Sequence, residues 1–288
     1  MNNIEIKAFF DQATYTVTYV VSDKSSKECV VIDSVLDFDA ASGNTNTQSA
    51  DQVIEYIRAN QLVTNWILES HAHADHLSAA PYLKNILGGK IAIGFHIKDV
   101  QSIFKNVFNL EKEFCIDGSQ FDQLLQDGDN LSIGNTKIEV IHTPGHTPAC
   151  LSYKIEDSLF VGDTLFMPDF GTARTDFPGG DAATLFQSIQ KLLSFPDNTK
   201  IFVGHDYKAP GRNIYAWESS VAQQKEQNIH IKNNTSEEQF VEYRTTRDAT
   251  LGMPSLILPA VQINIRAGEM PPKEDNGVSY LKLPLNSL

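Results

Sequence analysis

The chain has 288 residues, 41% of them hydrophobic, enough to bury a large core. Its 36 acidic residues outnumber 23 basic ones, for a formal charge of −13, and no lysine/arginine run interrupts that balance; nucleic acid is excluded as a partner. No apolar run approaches the ~18 residues of a membrane span, and "MNNIEIKAFF" lacks the features of a secretory signal, so a cytoplasmic protein without membrane contact is expected.

The β-branched and apolar runs at 14–22 (TYTVTYVVS) and 28–33 (ECVVID) predict two strands joined by the polar turn DKSSK. Cys29, inside the second run, is expected to be a buried thiol. Together with Cys115 and Cys150 it makes an odd, widely spaced set without a CxxC pair, which suits a reducing compartment. Residues 42–49, rich in Gly, Asn and Thr, read as a loop. Val53, Ile54 and Ile57 share one face of a helix over 50–60. NWILES (65–70) is too short for a helix and predicts a buried strand. A helix over HLSAAPYLKNILGG (76–89) follows, stopped by Gly88 and Gly89, and KIAIGF (90–95) is another strand.

A second series begins near residue 130. LSIGNTKIEVIH and CLSYKIEDSLFVGD predict hairpin strands with turns at Gly134-Asn135 and Glu156-Asp157. Leu185, Ile189, Leu192 and Leu193 line a helix over 183–195, and TKIFVGHDY (199–207) is a strand that runs into a histidine. Two successive batches of strands and helices predict an α/β fold with two sheets face to face and helices outside. Without a low-complexity linker, residues 1–288 are expected to form a single domain with a C-terminal extension at about 225–288. Asn233 and Asn234 in that extension match a glycosylation sequon, which carries no weight without secretion.

Five of the eight histidines follow the β-like runs: His71, His73, His76, His146 and His205. Three of them, with Asp75, occupy six positions. Such a turn after a strand brings His71 and His73 into one pocket, while Asp75 and His76 approach from the start of the next helix. Asp163 follows another strand. Neutral imidazole and carboxylate at strand ends are the donors a metal site requires. In VIHTPGHTPAC the loop position of His146, fixed by Pro144, Gly145 and Pro148, makes it a better ligand than His142. His96 and His230 have no such company and are expected to be structural.

HAHADH, HTPGHT, FVGDTLF and VGHDY together resemble the metallo-β-lactamase superfamily over roughly residues 10–215. The resemblance implies an αββα sandwich of two mixed β-sheets flanked by helices, with metal positions at His71, His73, Asp75, His76, His146, Asp163 and His205. HADHLSAAPYLK, GDTLFMPDFGTARTDFPGGD and GHDYKAPGR are similar to the persulfide dioxygenase (β-lactamase-hydrolase-like) branch, and SEEQFV and NIRAGEMPP are similar to its C-terminal end. That likeness implies one Fe(II) per chain on His71, His146 and Asp163. Glutathione persulfide and O2 are the implied substrates, sulfite and glutathione the products, and sulfide detoxification the role. His73, Asp75, His76 and His205 would then orient the ligands by hydrogen bonding.

The related glyoxalase II implies the alternative, a thioester hydrolase acting on hydroxyacylglutathione in which the same four residues complete a site for two Zn2+. Ligand spacing does not choose between the two. A non-catalytic metal-binding scaffold is a third reading, and all seven positions being intact argues against it. Glutathione carries carboxylates, so Arg174 is the expected clamp, with a structural pair to Asp176 or Asp169 as its alternative. Tyr207 is a candidate to hydrogen-bond the substrate; Lys208 and Arg212 are weaker candidates. Where the family often carries a cysteine just before this arginine, Thr172 and Ala173 stand here, so that cysteine's role does not transfer. A homodimer is the expected assembly.

Overall fold

The computed structural model describes residues 3–232 and 234–286. Asn233, one of the two sequon asparagines, lies outside the described residues. The first half contains β1 (Ile4–Asp11), β2 (Thr16–Asp23), β3 (Glu28–Ile32), β4 (Val35–Asp39), β5 (Asn44–Asn46), α1 (Gln48–Ala59), β6 (Val63–Leu68), β7 (Leu77–Ser78), α2 (Ala80–Leu87), β8 (Lys90–Gly94), α3 (Ile97–Val107) and β9 (Gln123–Leu125). The second contains β10 (Asn130–Ile133), β11 (Thr136–His142), β12 (Leu151–Ile155), β13 (Ser158–Phe160), α4 (Ala182–Leu193), β14 (Lys200–Phe202) and β15 (Glu218–Ser220). Helices α5 (Val221–Gln227), α6 (Glu237–Asp248) and α7 (Ile257–Asn264) follow.

One six-stranded sheet has the order β1-β2-β3-β6-β8-β9, and β10 to β15 form the other in chain order. Both are mixed. β3, β6, β8 and β9 are parallel neighbours, as are β13 and β14, whereas the hairpins pair antiparallel. Strand alternation builds the layers. Val30 and Ile32 of β3 face the second sheet, where they meet a core containing Ile138, Val140, Tyr153 and Phe160. Cys29 and Val31 face the other way, packing with Ile54, Ile57, Leu83 and Phe104 of the outer helices. On the far side, Leu159, Val161 and Ile201 pack against Leu185, Ile189 and Phe240 of α4 and α6. The result is the αββα sandwich.

Residues from 225 onward pack on both outer layers. Phe240 of α6 meets Phe186 of α4, and Val261 of α7 joins the helical layer over the first sheet. The helix expected over 76–89 begins at Ala80, with Pro81 in its first turn, because Leu77 and Ser78 pair with Leu36 and Val35. Asp75 and His76 therefore lie in a loop and not at a helix start. Cys29 and Cys150 are buried free thiols and Cys115 is exposed; burial pushes the Cys29 pKa up to about 11. Among the described residues no helix is long and apolar enough to cross a membrane.

Candidate metal centre

The polar residues gather where strands end. Asp33 follows β3, and Glu69, Ser70 and the loop 71–76 follow β6. His146 lies in the loop after β11, Asp163 lies three residues past β13, and His205 three past β14. Rigid strands thus aim five loops at one place, the usual way a site is assembled on a layered fold.

His71, His146 and Asp163 form one donor set, all buried, with ligand atoms within 4.8 Å of one another. Asp163 Oδ2 lies 3.9 Å from His71 Nε2 and 3.8 Å from His146 Nε2. The opposite ring nitrogens are held from behind. His146 Nδ1–H donates to the Arg174 carbonyl at 2.8 Å, and the Ser70 hydroxyl bonds His71 Nδ1 at 2.9 Å. Such bonds fix the tautomer and leave the Nε2 lone pairs for a cation. Burial, reinforced by neighbouring histidines, holds the His71 pKa well below its ordinary value, so the ring is neutral and able to ligate.

His73, Asp75, His76 and His205 form a second set. Thr16 reaches across from β2, its hydroxyl 3.3 Å from both His76 Nδ1 and His205 Nδ1. His205 Nε2 sits 3.1 Å from Asp75 Oδ2 and 3.3 Å from Asp163 Oδ1. Asp163 therefore faces the first set with one oxygen and the second with the other. Burial lowers the His76 pKa to about 4.

His73 belongs to both the second set and a third grouping. Its Nε2 lies 3.1 Å from Asp33 Oδ1 and 3.2 Å from Glu69 Oε2. Burial works against the charged ring, but the two carboxylates outweigh it and raise the His73 pKa well above normal. Burial pushes the Glu69 pKa up; for Asp33 burial opposes, and the His73 charge brings the value down. Asn264 of α7 clamps the loop from the C-terminal side, donating to the His73 and His76 carbonyls at 2.9 and 2.8 Å and accepting Ser78 N–H at 2.9 Å.

The donors fit a divalent cation. His71 Nε2, His73 Nδ1, Asp75 Oδ2, His76 Nε2, Asp163 Oδ1 and His205 Nε2 are all buried without a hydrogen-bond partner. Six unpartnered nitrogen and oxygen atoms gathered in two adjoining donor sets make a poor core and a good coordination site.

A cavity of about 300 Å³ opens over the centre, with Asp75, His146 and Asp163 at its floor. Phe166, Phe170 and Tyr207 make an aromatic wall, and Tyr207 stacks on His205 at 5.6 Å between centroids. Although the ring is partly exposed, desolvation of the phenol, then the charges of Asp75 and Asp163, raise the Tyr207 pKa well above its ordinary value. Arg174 lines the cavity too, but its fork is engaged by Asp176 at 2.5 and 2.6 Å.

Other candidates fall elsewhere. His142 Nε2 bonds the Pro148 carbonyl at 2.9 Å, and the ring stacks on His96, away from the donors. Arg212 is tied to Asp206 and Asp169, and Lys208 lies over the Tyr215 ring. His230, expected to be structural, stands in the cavity wall. Asp33, Glu69, Thr16 and Ser70 were not singled out from sequence. The acids did leave a signal: each closes an apolar strand run, as Asp163 does.

Over its full length the chain is 51% identical to glyoxylase B2 of Dictyostelium discoideum, covering 100% of this chain and 99% of that one. It is 28% identical to the human mitochondrial persulfide dioxygenase ETHE1, covering 93% and 91%. The crystal structure of ETHE1 from Myxococcus xanthus is similar with a TM-score of 0.73 at 27% identity, covering 92% of this chain and 100% of that one. Residues 12–205 match the family described as the Metallo-beta-lactamase superfamily. That span starts ahead of β2, ends on His205 and holds every residue of both donor sets, so the chain belongs to the metallo-β-lactamase superfamily.

Proposed function

We propose that this enzyme is a persulfide dioxygenase, converting glutathione persulfide, O2 and water to glutathione, sulfite and two protons. The observation that carries the reading is how the donors are divided. His71, His146 and Asp163 form a two-histidine, one-carboxylate set below the cavity, while His73, held at Nε2 by Asp33 and Glu69, groups with the second set. A facial set of that kind suits a single iron with open positions. The likeness to the human and Myxococcus proteins supports it.

His71, His146 and Asp163 would hold the iron, which supplies redox chemistry that brings oxygen and sulfur together. The chain's own residues do the rest. Ser70 and the Arg174 carbonyl keep the two imidazoles aimed, and His205 and Asp75 flank the second oxygen of Asp163. Phe166 and Phe170 exclude water from the wall, and the Tyr207 phenol, still protonated, would donate to the sulfur end of the substrate.

A second reading has an observation of its own. His73, Asp75, His76 and His205 gather as a complete second donor set, and the relative at 51% identity is named a glyoxylase. Two zinc ions there would supply activated water for glutathione thioester hydrolysis. Metal analysis of protein from iron-replete cells tests the choice: one iron per chain is expected, and two tightly held zinc ions would favour the hydrolase.

A further inference from the structure

Three arginines line the cavity: Arg174, Arg244 and Arg247. Two are already neutralised. Arg174 grips Asp176 bidentately and gives its remaining Nη1 to the Gly252 carbonyl at 2.7 Å. Arg244, only 1% exposed, reaches Asp248 Oδ1 at 2.9 Å from Nε and 2.7 Å from Nη2, and donates Nη1 to the Thr172 carbonyl. Each of these is an ion pair of no net charge with its donors used.

Arg247 differs. Its guanidinium has no hydrogen-bond or ion-pair partner among the described residues, and it is exposed in the last turn of α6. Glu242 borders an outer depression with it but does not pair with it. His230, on the same wall, accepts Thr172 N–H at Nδ1 (3.0 Å) and so adds no charge. Among the described residues, the only acids lining the cavity are Asp75 and Asp163, both in the metal centre. Away from the metal, the described lining of the cavity thus carries one unpaired guanidinium, in a chain of formal charge −13. The helix presenting it is well anchored, with a Ser236–Gln239 capping box and Phe240 fully buried.

We propose that Arg247 is the carboxylate anchor of the substrate site, gripping the anionic end of a glutathione-class thiol peptide whose sulfur points to the metal centre. Guanidinium and carboxylate match as a two-point fork, and a charge at a cavity rim gains more from pairing than one in open water. The inference rests on a glutathione substrate, as proposed above, and holds for the persulfide and the thioester alike because both carry the same carboxylates. It moves the clamp from Arg174, whose fork is filled, to a residue of the C-terminal extension.

The test is calorimetric titration of the metal-loaded protein with reduced glutathione and with its diethyl ester, in which both carboxylates are masked. Arg247→Ala should weaken glutathione binding about tenfold, Arg247→Lys should lose less, and the diethyl ester should bind the wild type and Arg247→Ala equally. Metal content and melting temperature should not move, since the side chain is exposed. Unchanged glutathione affinity in Arg247→Ala would overturn the proposal, as would a wild type that binds no glutathione or binds the diethyl ester just as well. Sulfite release is scored separately. A protein that binds glutathione through Arg247 yet only hydrolyses thioesters would keep this inference and lose the dioxygenase reading.

Discussion

The His73 imidazole and the Asp33 carboxylate meet at 3.1 Å, Nε2 to Oδ1, buried on both sides where the loop after β6 crosses the end of β3. Glu69 adds a second carboxylate to the same nitrogen. A buried charge stripped of its partner destabilises more than the intact pair stabilises. His73→Ala should therefore lower unfolding stability by about 3 kcal/mol, because it strands two buried carboxylates. Its effect on iron content should be smaller. Denaturant melts and metal analysis of one preparation check both halves, and equal iron loss in His73→Ala and Asp163→Ala would contradict the division of donors.

Asp163→Ala should show the opposite pattern. Burial raises the Asp163 pKa, so its ionised form disfavours the metal-free fold, and removing it leaves that fold at least as stable. Both donor sets lose their shared carboxylate. Metal should be lost, activity should fall more than 100-fold, and the rise in melting temperature on metal addition should disappear. Retention of full activity would remove Asp163 from the centre.

Gly162 sits at φ 49°, and a Cβ there would come within 2.5 Å of Ser70 Oγ, the hydroxyl that orients His71. Gly162→Ala should push Ser70 aside and weaken metal binding by roughly tenfold or more, the usual effect of disturbing a ligand's supporting bond. Competition with a chelator measures it; unaltered affinity would mean the Ser70 bond is not needed.

Glu111 takes a two-point contact from Arg266 at 2.6 and 2.9 Å, joining the segment after α3 to the residues following α7. That hydrogen bonding holds the Glu111 carboxyl below its ordinary pKa. A depressed carboxylate contributes stability above its unfolded pKa of about 4.3 and loses it as pH falls through the lower folded value. Glu111→Gln should then reduce stability by at most about 1 kcal/mol at pH 7, the pair being partly exposed, with the difference fading below about pH 4. Melts of both proteins across pH 3–8 read this out.

Much of the sandwich was legible because its central strands are uninterrupted β-branched runs and its helices carry one-sided apolar stripes. The histidine loop was legible because metal donors crowd one short stretch. What escaped depends on distant pairing. The start of α2 moved to Ala80 because Val35 and Leu36, some forty residues earlier, claim Leu77 and Ser78. Asp33 and Glu69 are single acids at strand ends, and only the parallel pairing of β3 with β6 brings them to His73. Arg247 is an ordinary surface cation on its own helix; the packing of α6 on α4 brings it to the wall of the cavity that His146 also lines.

The most direct measurement is an oxygen electrode trace on iron-loaded protein given glutathione persulfide, with sulfite assayed in the same vessel. One sulfite should appear for each O2 consumed, chelation of ferrous iron should stop both, and S-lactoylglutathione should be cleaved little. A flat oxygen trace together with brisk cleavage of S-lactoylglutathione would contradict the dioxygenase account.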